Sequence, residues 1–106
     1  MADTGRQLKI KVGVCKRMLK EVAGYEKEAK TNEARIKKMR EDGRDEYDIR
    51  KQEEVLQESY MMIPDSKARL QKALEDLQIF LEANTGGDGL EDQEEEARNI
   101  LAQASV

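Results

Sequence analysis

The apolar residues of the first forty positions recur in steps of seven. One series contains Leu8, Cys15, Val22, Ala29 and Ile36, and a second, three positions later, contains Met18, Tyr25 and Met39. These are the a and d positions of a heptad repeat, which share one side of an α-helix; Lys11 and Asn32 are its polar exceptions. Polar and apolar residues alternate between positions 8 and 14, which alone would suggest a strand. Because the heptad spacing is sustained much further, we predict a helix over residues 4–41.

The same spacing continues in the second segment and predicts a helix over residues 45–83. Its a series is Ile49, Leu56, Ile63, Leu70 and Leu77. A neighbouring apolar stripe comprises Tyr60, Leu74 and Leu81, with Ala73 and Phe80. The a series passes through Pro64, the only proline, without losing register. A new helix after a loop would have no reason to keep that phase, so we predict one helix, kinked at Pro64, with Ile63 in the core.

Turn-forming residues separate the first two predicted helices, and a second group of them precedes a predicted third helix. Gly43 can adopt the left-handed conformation that ends a helix, and Asp45 can cap the next one. The sequence NTGGDG (84–89) predicts a flexible loop, and a short acidic helix follows over residues 90–105. The apolar stripe of this helix is Leu90, Ala97, Ile100, Leu101 and Ala104.

The lengths of the three helices constrain how they pack. The first two would be ~57 Å long and the third only ~24 Å, at about 1.5 Å per residue. We therefore predict an all-α fold, a single domain over residues 1–106 that forms an elongated antiparallel three-helix bundle, a coiled-coil-like rod. The short third helix folds back against the N-terminal half of the first. The end that contains Ile36 and Ile49 is then only two helices deep.

Composition supports this architecture and adds an uneven distribution of charge. Charged residues make up 40% of the chain and aromatic residues 4%, which is typical of long helices rather than of a thick globular core. Residues 1–40 contain 12 Lys and Arg against 5 Asp and Glu, a net charge of +7, whereas residues 41–106 contain 7 against 18, a net charge of −11. We interpret this as a basic helix that packs against acidic ones, in preference to an external acidic partner.

The chemistry-bearing residues do not indicate an enzyme, a cofactor or a metal site. There is no histidine, and the single cysteine, Cys15, occupies a core a position. The glycine-rich sequence TGGDG (85–89) lacks the Gly-Lys-Ser/Thr of a phosphate-binding loop, and the carboxylates of EDQEEEAR (91–98) suit a solvated helix face. The basic stretch 6–20 could face nucleic acid, but we expect none to bind, because the chain is acidic overall and lacks stacking aromatics there. No stretch suits a signal peptide or a membrane span, and a lone cysteine favours a reducing compartment such as the cytosol.

One apolar run on the second helix has the character of a partner surface. With Ile63 at position a, Met61 falls at the outward-facing f position and Pro64 at b. Two flexible, polarizable methionines beside a proline on the outer side of a helix would make an adaptable surface. Met62, at position g, suits either this surface or packing against the third helix.

Four stretches of the chain resemble the family of tubulin-folding cofactor A, also called tubulin-specific chaperone A. They are LKIKVGVCKR (8–17), YEKEAK (25–30), YDIRKQEEVLQES (47–59) and MMIPDSKARL (61–70). The resemblance covers about residues 6–83. Tyr60 stands where the family typically has arginine and Ser66 where cysteine is common, and the region after Asn84 matches only in being acidic and helical.

The resemblance implies a non-enzymatic chaperone of the cytoplasm, associated with the cytoskeleton. Such proteins hold β-tubulin monomers released by the cytosolic chaperonin and, with other tubulin-folding cofactors, pass them towards the α/β-tubulin heterodimer. They bind no nucleotide or membrane, and their fold is a three-helix bundle whose second helix is interrupted at the proline.

For this function we hypothesise two groups of contact residues. The first, which we call the methionine ridge, comprises Tyr60, Met61, Met62, Pro64 and Asp65. The second group, which we call the four lysines, comprises Lys16, Lys20, Lys27 and Lys30, and it would attract an acidic client. The alternative is a structural coiled-coil module that homo-oligomerises, in which a second chain covers the two-helix-deep end. A homodimer is compatible with both readings.

Overall fold

A computed structural model describes residues 3–87 and 89–104, and three α-helices account for most of them. They are α1 (Thr4–Glu41), α2 (Glu46–Ala83) and α3 (Glu91–Ala104). No strand occurs within the described residues, so the predicted all-α class is confirmed. The helix α1 has the predicted bounds, whereas α2 and α3 each begin one residue later than predicted. Residues 88 and 105, assigned to the loop and to the third helix, lie outside the described residues.

The second helix is continuous through its proline. Pro64 lies inside α2, with its side chain exposed to solvent. The prediction of one helix rather than two is therefore confirmed, and the kink at Pro64 stays a prediction. None of the described helices combines the length and the apolar character that crossing a membrane requires.

Local hydrogen bonds explain where α1 begins and ends. The Asp3 carboxylate accepts a hydrogen bond from the Arg6 N–H at 3.1 Å, which caps the first turn of α1. Gly43 has a φ of 69°, and the Arg44 N–H donates to the Met39 carbonyl at 2.9 Å. Together with a bond from the Gly43 N–H to the Arg40 carbonyl, this is a Schellman motif, which satisfies the last carbonyls of α1. The predicted left-handed glycine is confirmed.

The chain divides into two compact units, the first of which contains all three helices. It comprises the described parts of residues 1–20 and 68–106. Its core combines residues of α1, α2 and α3, namely Leu8, Val12, Cys15, Leu77, Leu81, Ala97 and Ile100. The return of α3 to the N-terminal half of α1 is thus confirmed, and so is the core position of Cys15.

The second unit, residues 21–67, is a hairpin of α1 and α2. One apolar cluster consists of Ile36, Met39 and Ile49, with Leu56 partly buried against them, and Val22 and Ala29 are also buried in this unit. An ion pair between Arg40 and Glu53, 2.9 Å apart, joins the two helices near the turn. As the helix lengths predict, this unit is two helices deep.

The prediction that Ile63 belongs to the core is wrong. Ile63 is only half-buried, whereas Ser59 and Ser66, three residues after the a positions Leu56 and Ile63, are buried. Each hydroxyl donates within its own helix, Ser66 Oγ to the Ile63 carbonyl at 2.9 Å and Ser59 Oγ to the Val55 carbonyl at 3.4 Å. Small side chains whose polar atoms bond to the same helix can occupy the helix seam without an unpaired donor.

Candidate functional site

The methionine ridge lies on one stretch of α2 and presents apolar atoms to solvent. Met61 is 67% exposed, Tyr60 41% and Met62 36%, and Pro64 and Asp65 are also exposed. Exposure of this size is unusual for methionine, which is among the residues most often buried. The role of the ridge in partner binding stays a prediction.

Tyr60 is held in place by α1. Its hydroxyl donates a hydrogen bond to the Glu33 carboxylate. This bond, followed by desolvation and by the carboxylate charge, raises the pKa of Tyr60 above its usual range, so the hydroxyl remains a donor. One end of the ridge is therefore fixed to the neighbouring helix.

The two methionines have different surroundings. Met62 lies at a cavity of about 130 Å³ between α1 and α2, which Tyr25, Val55 and Ser59 also line. Met61 is more exposed and does not line that cavity. Met62 therefore contributes to the edge of the hairpin, while Met61 is the ridge residue most available to a partner.

The four lysines are all exposed, but they are divided between the two units. Lys27 and Lys30 belong to the same unit as the methionine ridge, whereas Lys16 and Lys20 belong to the other. Lys16 forms an ion pair with Glu96 of α3. At this pair, the interpretation that basic α1 packs against an acidic helix of the same chain is confirmed.

The Cys15 thiol and the Glu94 carboxylate, two groups that could carry chemistry, are both buried and contribute to the packing of the fold. Cys15 is fully buried, and burial, assisted by the Asp76 carboxylate and opposed by Lys11, raises the pKa of its thiol. Glu94, expected on a solvated face, is buried, and its carboxylate accepts from the Gly86 N–H at 3.0 Å. Glu94 thereby fastens the loop before α3. Within the described residues no group of three or more acidic, cysteine or histidine side chains could hold a metal ion.

Sequence reasoning missed a groove in the first unit, which we call the basic groove. Its described lining comes from α1 and α2 alone and comprises Ile10, Lys11, Val14, Met18, Arg69, Lys72, Ala73 and Asp76. Ile10, Val14 and Met18 recur every four residues, which places them on one side of a helix. That spacing was a usable signal, but between positions 8 and 14 it coincides with the strand-like alternation of apolar residues.

Known proteins match this chain along nearly its whole length. The family model described as tubulin binding cofactor A matches residues 3–101. The chain is 54% identical to human tubulin-specific chaperone A over 104 residues, which cover 95% of this chain and 94% of the relative. The solved structure of tubulin folding cofactor A from Arabidopsis thaliana has a TM-score of 0.84 and 40% identity, covering 96% of this chain and 95% of its own. A solved structure described as a β-tubulin binding post-chaperonin cofactor has a TM-score of 0.75 and 33% identity, covering 94% of this chain and 99% of its own.

Proposed function

Because this chain belongs to the tubulin binding cofactor A family, we propose that it captures and stabilises β-tubulin monomers after their release from the cytosolic chaperonin. It would then pass them, with other tubulin-folding cofactors, towards the α/β-tubulin heterodimer in the cytoplasm. The observation that carries the proposal is the structural likeness, over 94% of this chain, to the β-tubulin binding post-chaperonin cofactor.

The exposed methionines give this proposal a physical basis. A β-tubulin monomer exposes surface that its α partner would bury, so it needs a temporary apolar contact. Met61 and Met62 offer flexible, polarizable side chains that adapt to an irregular surface. Lys27 and Lys30, in the same unit, would attract an acidic client and speed its association. A small contact of this kind also permits release.

Affinity capture from cell extract tests the proposal. The immobilised full chain should retain β-tubulin without stoichiometric α-tubulin. Retention of no tubulin, or of the intact heterodimer alone, would overturn the function.

A pair of matched substitutions then tests the ridge. Met61→Glu should weaken capture about tenfold. The substitution removes the apolar side chain that the client would bury, and binding must then remove water from the new carboxylate. Tyr47→Glu, at another exposed apolar residue of α2, should leave capture unchanged. Circular dichroism should show both variants folded, because both sites are exposed. Equal capture by wild type and Met61→Glu would exclude the ridge while leaving the function intact.

The alternative, a structural coiled-coil module that homo-oligomerises, has one observation in its favour. The apolar cluster of the second unit contains only three buried residues, Ile36, Met39 and Ile49, and a second chain could extend it. Sedimentation at micromolar concentration separates the two functions. A monomer that captures β-tubulin supports the cofactor, and an obligate oligomer that captures none supports the module.

A further inference from the structure

The first unit has a second apolar stripe that its own core does not use. Ile10, Val14 and Met18 follow one another at intervals of four along α1, and Ile10 is 52% exposed. Lys16, whose ion pair with Glu96 marks the side of α1 that faces α3, lies about 160° around the helix from Val14. The stripe therefore lies on the side of α1 away from α3.

The helix α2 supplies the opposite wall of the basic groove. Lys72, Ala73 and Asp76 line a volume of about 370 Å³ together with the α1 stripe. A second cavity shares Lys11 and Asp76 with the first and continues along α2 to Phe80 and Ala83. On α2 the lining thus runs from residue 69 to residue 83, which is about 21 Å or four helical turns.

The charges around the groove favour an acidic occupant. Its rim carries three cations, Lys11, Arg69 and Lys72, and one carboxylate, Asp76. The Lys11 ammonium lies over the Phe80 ring of the second cavity, 5.3 Å from its centroid, so this charge is held beside apolar surface. A partner that placed apolar side chains on Ile10, Val14 and Met18, which form the apolar floor of the groove, and carboxylates beside its cations would match both features.

The chain itself shows how these two helices accept such a partner. On the other side, α1 and α2 bind α3, a 14-residue helix with three carboxylates in its first turn. Ala97 and Ile100 of α3 are buried against the core, while Glu96 pairs with Lys16 at the edge. An acidic amphipathic helix about four turns long is thus a shape and charge that the α1–α2 pair already accommodates.

We propose that the basic groove binds an acidic amphipathic helix, about four turns long, of the β-tubulin client. This inference rests on the proposed function and adds a contact in the first unit to the methionine ridge of the second. The helix lays apolar side chains along Ile10, Val14 and Met18 and directs carboxylates towards Lys11 and Lys72.

Titration of β-tubulin monomer, captured from a translation extract, against full-chain variants tests the groove. Ile10→Glu and Lys72→Glu should each weaken binding about tenfold, since one places a carboxylate on the floor and the other reverses a rim charge. Lys9→Glu makes the same change of charge as Lys72→Glu at an exposed site of α1 that does not line the groove, and should alter affinity less than about twofold. Circular dichroism should show all three folded.

The other outcomes separate the groove from the function on which it rests. If the wild type binds β-tubulin and both groove variants bind it equally well, the groove proposal is overturned and the function stands. If the wild type binds no β-tubulin, both are overturned. If sedimentation shows that Ile10→Glu dissociates a wild-type oligomer while β-tubulin binding is retained, a second copy of the chain is the occupant and the client proposal is wrong.

Discussion

Replacement of Pro64 by alanine should stabilise the protein by about 2 kcal/mol. Proline in a helix interior costs roughly 3 kcal/mol relative to alanine, because it cannot donate a hydrogen bond to the carbonyl four residues earlier and its ring crowds that carbonyl. In α2 the affected carbonyl is that of Tyr60, and the helix continues on both sides. Pro64 is exposed, so little packing is lost with its ring. The more flexible unfolded chain of the alanine variant offsets roughly 0.4–1 kcal/mol of the gain.

Thermal and urea unfolding followed by far-ultraviolet circular dichroism measure this difference. At about 4–8 °C for each kcal/mol, the melting temperature of Pro64→Ala should rise by roughly 10 °C, with an unchanged urea m value. Lys67→Ala, at an exposed residue of the same helix, is the matched control and should change stability by less than about 0.5 kcal/mol.

An unchanged or lower melting temperature for Pro64→Ala, with a neutral control, would refute this reasoning. It would mean that the proline sets a helix geometry on which the neighbouring packing depends, with the buried Ser66 the nearest residue to feel its loss. A more stable variant with weaker β-tubulin capture would instead show that the proline is kept for the client at the expense of stability.

Three further substitutions or modifications examine burial. Leu77→Ala should lower the free energy of unfolding in urea by about 3–5 kcal/mol, because Leu77 is fully buried. Ile79→Ala, at a residue that is 67% exposed, should lower it by less than about 1 kcal/mol. Similar losses for the two variants would contradict the assigned core. Asn32→Leu should stabilise the protein by about 1–3 kcal/mol, since Asn32 is buried and no described group accepts a hydrogen bond from its Nδ2. Asn99→Leu, at an exposed residue, should change the free energy of unfolding little. A loss of stability in Asn32→Leu would show that the Asn32 amide is paired. Burial raises the pKa of the Cys15 thiol, so the thiolate is scarce in the folded protein and iodoacetamide should modify it at neutral pH only as fast as the chain unfolds; equal rates in buffer and in urea would be inconsistent with that burial.

The buried side of α1 could be predicted from sequence, but that of α2 only in part. All five a residues of α1, from Leu8 to Ile36, are buried. On α2, Ile49 and Leu77 are buried, whereas burial between them falls on Ser59 and Ser66. Ser59 and Ser66 occupy d positions, three residues after members of the a series. Because serine is not apolar, a heptad pattern built from apolar residues identifies the a series but does not show that these two serines are buried.

The candidate site was predictable where it depended on one helix and unpredictable where it depended on two. The outward f position of Met61 follows from the heptad alone, and its exposure agrees. The bond from Tyr60 to Glu33 joins residues 27 positions apart on different helices. Neither helix pattern specifies the register between the two, so this bond could not be foreseen. The basic groove likewise needs α1 and α2 to be aligned before its walls can be recognised.

The unequal number of helices in the two units has a consequence for amide hydrogen exchange. Opening the hairpin of residues 21–67 exposes five buried apolar residues and the partly buried Leu56. Opening the first unit exposes seven buried apolar residues and five partly buried ones that pack against them. Local opening free energy rises with the apolar surface that must be exposed. Backbone amides around Ile36 and Ile49 should therefore exchange their hydrogens through partial opening, whereas those around Leu77 should exchange only through global unfolding. The methionine ridge belongs to the segment that opens more readily, so it can adjust to a client without disturbing the best-protected part of the chain.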